Sequence, residues 1–150
     1  MSTVDTVVAA THLLFAGIWT GSVVYFALSI LPVAARGNLD ATPLSSLAGS
    51  LRRVSRVSAL LLFLTGGHMA GTQYTVDSLL GSTPGWFVLC MLGLWFVLAG
   101  LVEVGTGKVI DGTDQRKVRE PARAAKRVFQ AAALVAGLLL VDGGLLTVMT

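Results

Sequence analysis

The sequence predicts an all-α integral membrane protein, a four-helix transmembrane bundle, and three observations carry that prediction. Hydrophobic residues make up 54% of the 150 and charged ones only 13%, with a mean hydropathy of +0.77, which is far too apolar for an ordinary soluble domain. Four nearly uncharged segments, about 7–33, 57–73, 86–104 and 128–149, approach or exceed the roughly 20 residues needed to cross a bilayer. All eleven Lys and Arg fall between the first and second segments (Arg36, Arg52, Arg53, Arg56) or between the third and fourth (Lys108, Arg116, Lys117, Arg119, Arg123, Lys126, Arg127). By the positive-inside rule these two basic connections are cytoplasmic, and both termini lie outside with the loop 74–85.

The spans account for nearly all of the chain, so residues 1–150 read as a single four-span domain, multi-pass in the cell membrane. No part remains to do chemistry in water, and no catalytic constellation emerges. The net charge of +3 reports topology and attraction to anionic lipid headgroups, not nucleic acid.

Span one follows MSTVDT, which lacks the basic region of a cleavable signal peptide, so the span is retained with its N-terminus outward. His12 and Trp19 are two turns apart on one face, and Gly17 and Gly21 form a small-xxx-small pair open to a neighbouring helix. On this face Trp19 either meets protein or supplies lipid-facing bulk.

In the first connection Thr42 precedes Pro43, a cap and first-turn pair, and Leu44, Leu47, Leu51 and Val54 follow at helical spacing. Span two is expected to begin near Pro43 as one long or slightly broken helix. Along it Ser55, Ser58, Leu62, Thr65, His68 or Met69, and Thr72 recur at steps of three and four. A polar stripe on an otherwise apolar helix belongs against other helices.

The loop TVDSLLGSTPG is short. Span three begins at Trp86, carries Cys90 and Met91 in its outer third, and places Glu103 near the inner surface and Lys108, in a solvated role. The stretch after it is rich in turn residues and becomes helix-permissive from about Asp114 or Pro121. Span four contains one charge, Asp142. LLLVDGG (138–144) echoes LLFLTGG (61–67) in a span running the same way, as in a duplicated hairpin, with Asp142 in the place of Thr65.

Spans one and two are antiparallel and joined near residue 40, which makes His12 and His68 equidistant from the connection. They are the only histidines, and both fall in the outer part of the bundle with Asp142, Cys90, Met91 and Met69. Either histidine alone suits an interhelical hydrogen bond. Together they could bind haem b axially, or join the Cys90 thiol or a Met thioether around a soft ion such as Cu(I). Cys90 also fits as a small hydrophobe. Asp142, costly inside a span unless paired or solvated, is read as tuning the ligands or receiving protons. Gly21, Trp19, Thr65, Met69 and Met91 pack the site.

His12, six residues, then Trp19, Thr20 and Gly21 resembles the H-x6-W-x-G signature of membrane proteins of the copper resistance protein D type. The run from Arg53 through Ser55 and Arg56 to Thr65 and Gly66 is similar to that domain's next span. The resemblance covers mainly residues 11–71. It implies a four-helix unit associated with copper uptake or tolerance; the metal ligands read from the residues themselves are His12 and His68, with Cys90 or a methionine as a soft supplement. The first-span pattern also resembles the J-type protoporphyrinogen oxidase of haem synthesis. Where both families carry a lysine in span three, this chain has Cys90 and Met91.

The expected function is therefore copper handling. The alternatives are a haem b protein in electron transfer or as an oxidoreductase, and a non-catalytic membrane subunit or scaffold. Four spans enclose little space, so transport would call for a homo-oligomer or a larger complex.

Overall fold

The computed structural model describes residues 2–150, and the described residues are helical with no strand. Four long helices, α1 (Thr3–Ala35), α2 (Ala41–Gln73), α4 (Thr83–Asp114) and α5 (Arg119–Met149), run up and down, and a short α3 (Val76–Gly81) sits between α2 and α4. The main contacts run around a ring, α1 to α2 to α4 to α5 and back to α1, while α3 packs on α4. This is antiparallel four-helix bundle geometry. Both termini lie at one end, the terminal end; the 36–40 and 115–118 connections lie at the other, the basic end.

Three of these helices, α1, α4 and α5, are long and apolar enough to cross a membrane. The fourth, α2, is equally long at 33 residues, but Arg52, Arg53, Arg56 and its polar stripe lower its hydropathy below theirs. That stripe is turned inward: Ser55, Ser58 and Leu62 are buried, whereas Val57, Leu60, Phe63 and Leu64 are exposed.

Local chemistry explains the boundaries. Ser2 caps α1 in a reciprocal box with Asp5, satisfying donors that a helix start leaves free. Near the other end, Pro32 has no N–H to give the Leu28 carbonyl, and its ring crowds that turn. The ladder widens to a π turn over Phe26–Ile30, with Leu31 N–H reaching back to the Phe26 carbonyl. The helix then closes on Gly37 in the left-handed region at φ 77°, with Gly37 N–H donating to Ala34 and Asn38 N–H to Val33. Glycine is favoured there because a Cβ would crowd the backbone.

As expected, α2 begins near Pro43, at Ala41 after Asp40, and continues unbroken. The outer loop contains α3, capped reciprocally by Thr75 and Ser78. α4 continues as helix ten residues past the apolar span that ends near 104, and α5 starts at Arg119, close to the helix-permissive point at Pro121. Tertiary packing overrides the turn-rich composition here: Gly105, Thr106, Val109 and Thr113 are buried, Gly105 leaves the space that the Phe129 ring fills, and Gly112 lies against the Pro121 ring.

Packing is concentrated toward the basic end. The core comprises Trp19, Val23, Phe26, Leu31 and Ala34 of α1, Leu44 to Leu62 of α2, Leu98 to Val109 of α4 and Ala122 to Ala136 of α5. Phe26 and Phe129 meet with ring centroids 4.8 Å apart. Beyond Trp19, Leu62, Leu98 and Ala136 toward the terminal end, Gly85 beneath α3 and Asp142 are the only buried residues among those described.

Candidate functional site

The polar stripe of α2 meets α1 at two points. Trp19, 1% exposed, donates its indole N–H to Ser55 Oγ at 2.8 Å. Trp19 therefore faces protein. Farther toward the terminal end, His12 Nδ1 lies 2.8 Å from Thr65 Oγ1. The Thr65 hydroxyl has one proton, and it points at the Leu61 carbonyl 2.7 Å away. A Thr65 hydroxyl that donates to Leu61 accepts from Nδ1–H, the tautomer in which the half-buried imidazole keeps a free lone pair on Nε2. Gly66 makes room for the ring: a Cβ there would stand 3.1 Å from His12 Cε1.

The expected pairing of the histidines does not form. Registry between α1 and α2 is offset by about one turn at His12, which meets Thr65. His68 is exposed, and its Nε2 lies 3.5 Å from Asp5 Oδ1. Cys90 is exposed on α4. Among the described residues, no three His, Cys, Asp or Glu side chains come together as a metal-ligand group. The reason is helical phase: equal distance from a connection fixes depth only roughly, and does not fix which face a side chain occupies. Of the packing residues, Trp19 and Thr65 serve the α1/α2 contact, and Gly21 is exposed with open space where a Cβ would stand. Met69 is half-buried on α2.

At 1.5 Å per residue, Asp142 lies as far along α5 from Phe129 as Leu13 lies along α1 from Phe26, whose rings stack, and this count sets its depth only roughly. On α4 the Met91 methyl lies 3.6 Å from where a Cβ on Gly143 would be. Met91 thus packs beside Gly143, next to Asp142 in the chain. Asp142 is 7% exposed, and its Oδ2 is buried without a hydrogen-bond partner.

A second polar cluster ties α2 to α4. Arg56 grips Glu103 with two bonds, Nε to Oε1 at 2.6 Å and Nη2 to Oε2 at 3.1 Å. Arg52 adds Nε to Thr106 Oγ1 at 3.0 Å and Nη2 to the Glu103 carbonyl at 3.2 Å. Its Nε is also 3.4 Å from Glu103 Oε2. Sequence reading set Glu103 beside Lys108 as a solvated group and missed this clamp. The signal was the one-turn spacing of Arg52 and Arg56, which places both on the same face; Arg53, between them, is exposed.

No protein-family model, curated protein or solved structure matches the chain.

Proposed function

We propose that the chain is a four-span protein of the cell membrane that handles copper as cargo in the terminal half of its bundle, with His12 as the ligand. The observation that carries this reading is the His12–Thr65 hydrogen bond at 2.8 Å, which orients the ring and leaves Nε2 free. Metal-binding histidines are held in this way by a partner on the other nitrogen. A resident metal calls for a closed ligand set, whereas a passing ion is served by few ligands, because it must leave as well as enter. His68 and Cys90 are left outside the site in this proposal.

In this reading α2 is the fourth crossing, its apolar residues Val57, Leu60, Phe63 and Leu64 toward lipid and its polar stripe toward protein. The basic end is cytoplasmic and both termini are outside. Exposed Arg53, Arg123, Lys126 and Arg127 then meet anionic headgroups. A homo-oligomer or larger complex would use the exposed face of Gly17 and Gly21.

The geometry gives less support to haem b, since His12 hydrogen-bonds directly to the neighbouring helix and His68 pairs with Asp5, so the two do not face one another across a gap. The test is Cu(I) binding by the purified protein in detergent against a competing chelator. His12→Ala should lower affinity at least tenfold, while His68→Ala and Cys90→Ser leave it unchanged. Unchanged affinity in the His12 variant would remove the site.

A further inference from the structure

Copper handling through His12 leaves Asp142 unexplained. It is 7% exposed, its Oδ2 is buried and unpartnered, and it belongs to none of the ion pairs among the described residues. Buried carboxylates are normally paired or hydrogen-bonded, because an ionised oxygen stripped of water has nothing to replace its solvation.

No Lys or Arg lies toward this end of the bundle to supply that replacement. On α1 the titratable groups toward this end are His12, engaged by Thr65, and Asp5, engaged by Ser2 and His68. On α4 there is Cys90, on an exposed position. Along α5 the nearest charge is Arg127, about four turns away. His12, His68 and Cys90 make no hydrogen bond to Asp142 Oδ2.

We propose that Asp142 is a proton-exchange site, a carboxyl that carries its proton within the apolar layer and trades it with water on the terminal side. Sidedness follows from the packing. Toward the basic end the buried side chains of Trp19, Leu62, Leu98 and Ala136 close the bundle. Toward the terminal end no buried side chain follows Asp142 on α5. A protonated carboxyl donates one hydrogen bond and accepts others without net charge, which suits an ionisable residue inside a span. The proposal does not depend on the copper reading, and the two are tested by separate measurements.

A neutral carboxyl in an apolar site is the substrate of dicyclohexylcarbodiimide. The carboxyl proton passes to one carbodiimide nitrogen as the oxygen bonds the central carbon. The resulting O-acylisourea rearranges by acyl transfer from oxygen to nitrogen into a stable N-acylurea, with no oxidation or reduction. Folded protein reconstituted in vesicles should carry this adduct at Asp142, located by peptide mass spectrometry. Labelling should fall several-fold as the pH on the terminal side is raised and should not follow the pH on the basic side. Asp142→Asn should lose the adduct, and infrared spectra of wild type should show a protonated-carboxyl band that Asp142→Asn lacks and Asp142→Glu retains at shifted frequency. Absence of both adduct and band in folded wild-type protein would overturn the proposal; labelling that follows the basic-side pH would overturn its sidedness.

Discussion

The His12 imidazole and the Thr65 hydroxyl stand 2.8 Å apart across the α1/α2 contact, and the hydroxyl's own proton goes to Leu61. The direction of this bond decides which imidazole nitrogen is available, so the chemistry of His12 depends on a residue of another helix. Thr65→Val keeps the shape and removes the acceptor. In the copper reading it should lower Cu(I) affinity by about tenfold or more, and ¹⁵N spectra of the imidazole should show loss of the single Nδ1–H tautomer. Wild-type affinity and tautomer in that variant would disconnect Thr65 from the site.

Trp19 and Ser55 make the corresponding contact in the packed half. Trp19→Phe leaves the Ser55 hydroxyl buried without its donor, at a cost of about 1–3 kcal/mol on top of the lost ring volume. Ser55→Ala should cost less in the Trp19→Phe background than in wild type. Unfolding in mixed micelles gives the double-mutant cycle, and strictly additive effects would show that the bond contributes nothing.

Gly105 lies under the Phe129 ring, which is fully buried. Gly105→Ala should push the α4/α5 contact apart and destabilise the bundle by about 1–3 kcal/mol, although alanine is the better helix former. Phe129→Leu in the same chain should recover part of the loss. A Gly105→Ala protein as stable as wild type would show that the ring moves aside freely.

α4 ends with Arg116 at φ 58°, its N–H donating to Thr113 and that of Lys117 to Gly112. A side chain in this left-handed conformation is strained by about 1–2 kcal/mol. Arg116→Gly should therefore raise stability by roughly 0.5–1 kcal/mol after the added flexibility of the unfolded glycine is subtracted. Thermal unfolding in detergent measures it, and a lower midpoint would contradict the strain.

The clamp of Arg52 and Arg56 on Glu103 is partly solvent-exposed, with side-chain exposures of 26%, 65% and 38% in that order. Glu103→Gln should therefore cost only about 0–1 kcal/mol, and less at high salt. Exchanging the charges as Arg56→Glu with Glu103→Arg should restore part of the contact. A loss well above that range, independent of salt, would mark the clamp as a shielded network.

The amino-acid sequence by itself determined the four long helices and the inward face of α2, because the period of Ser55, Ser58 and Leu62 acts within a few residues of where they stand. It also singled out Asp142, since a lone charge in an apolar run is visible without a partner. Helix ends were less legible: Arg116 closes α4 without the glycine that usually marks such a turn, and the turn-rich residues after Glu103 stay helical because α5 covers them. The partners were decided only by the tertiary structure. His12 meets Thr65 instead of His68, and Glu103 meets Arg52 and Arg56 instead of Lys108. Which groups touch depends on the register and rotation of whole helices, set by the π turn at Phe26–Ile30, the tight closure at Gly37 and the packing of Trp19 and Phe129. A shift of one turn, about 5.4 Å, exchanges one partner for another while leaving the pattern along each helix unchanged.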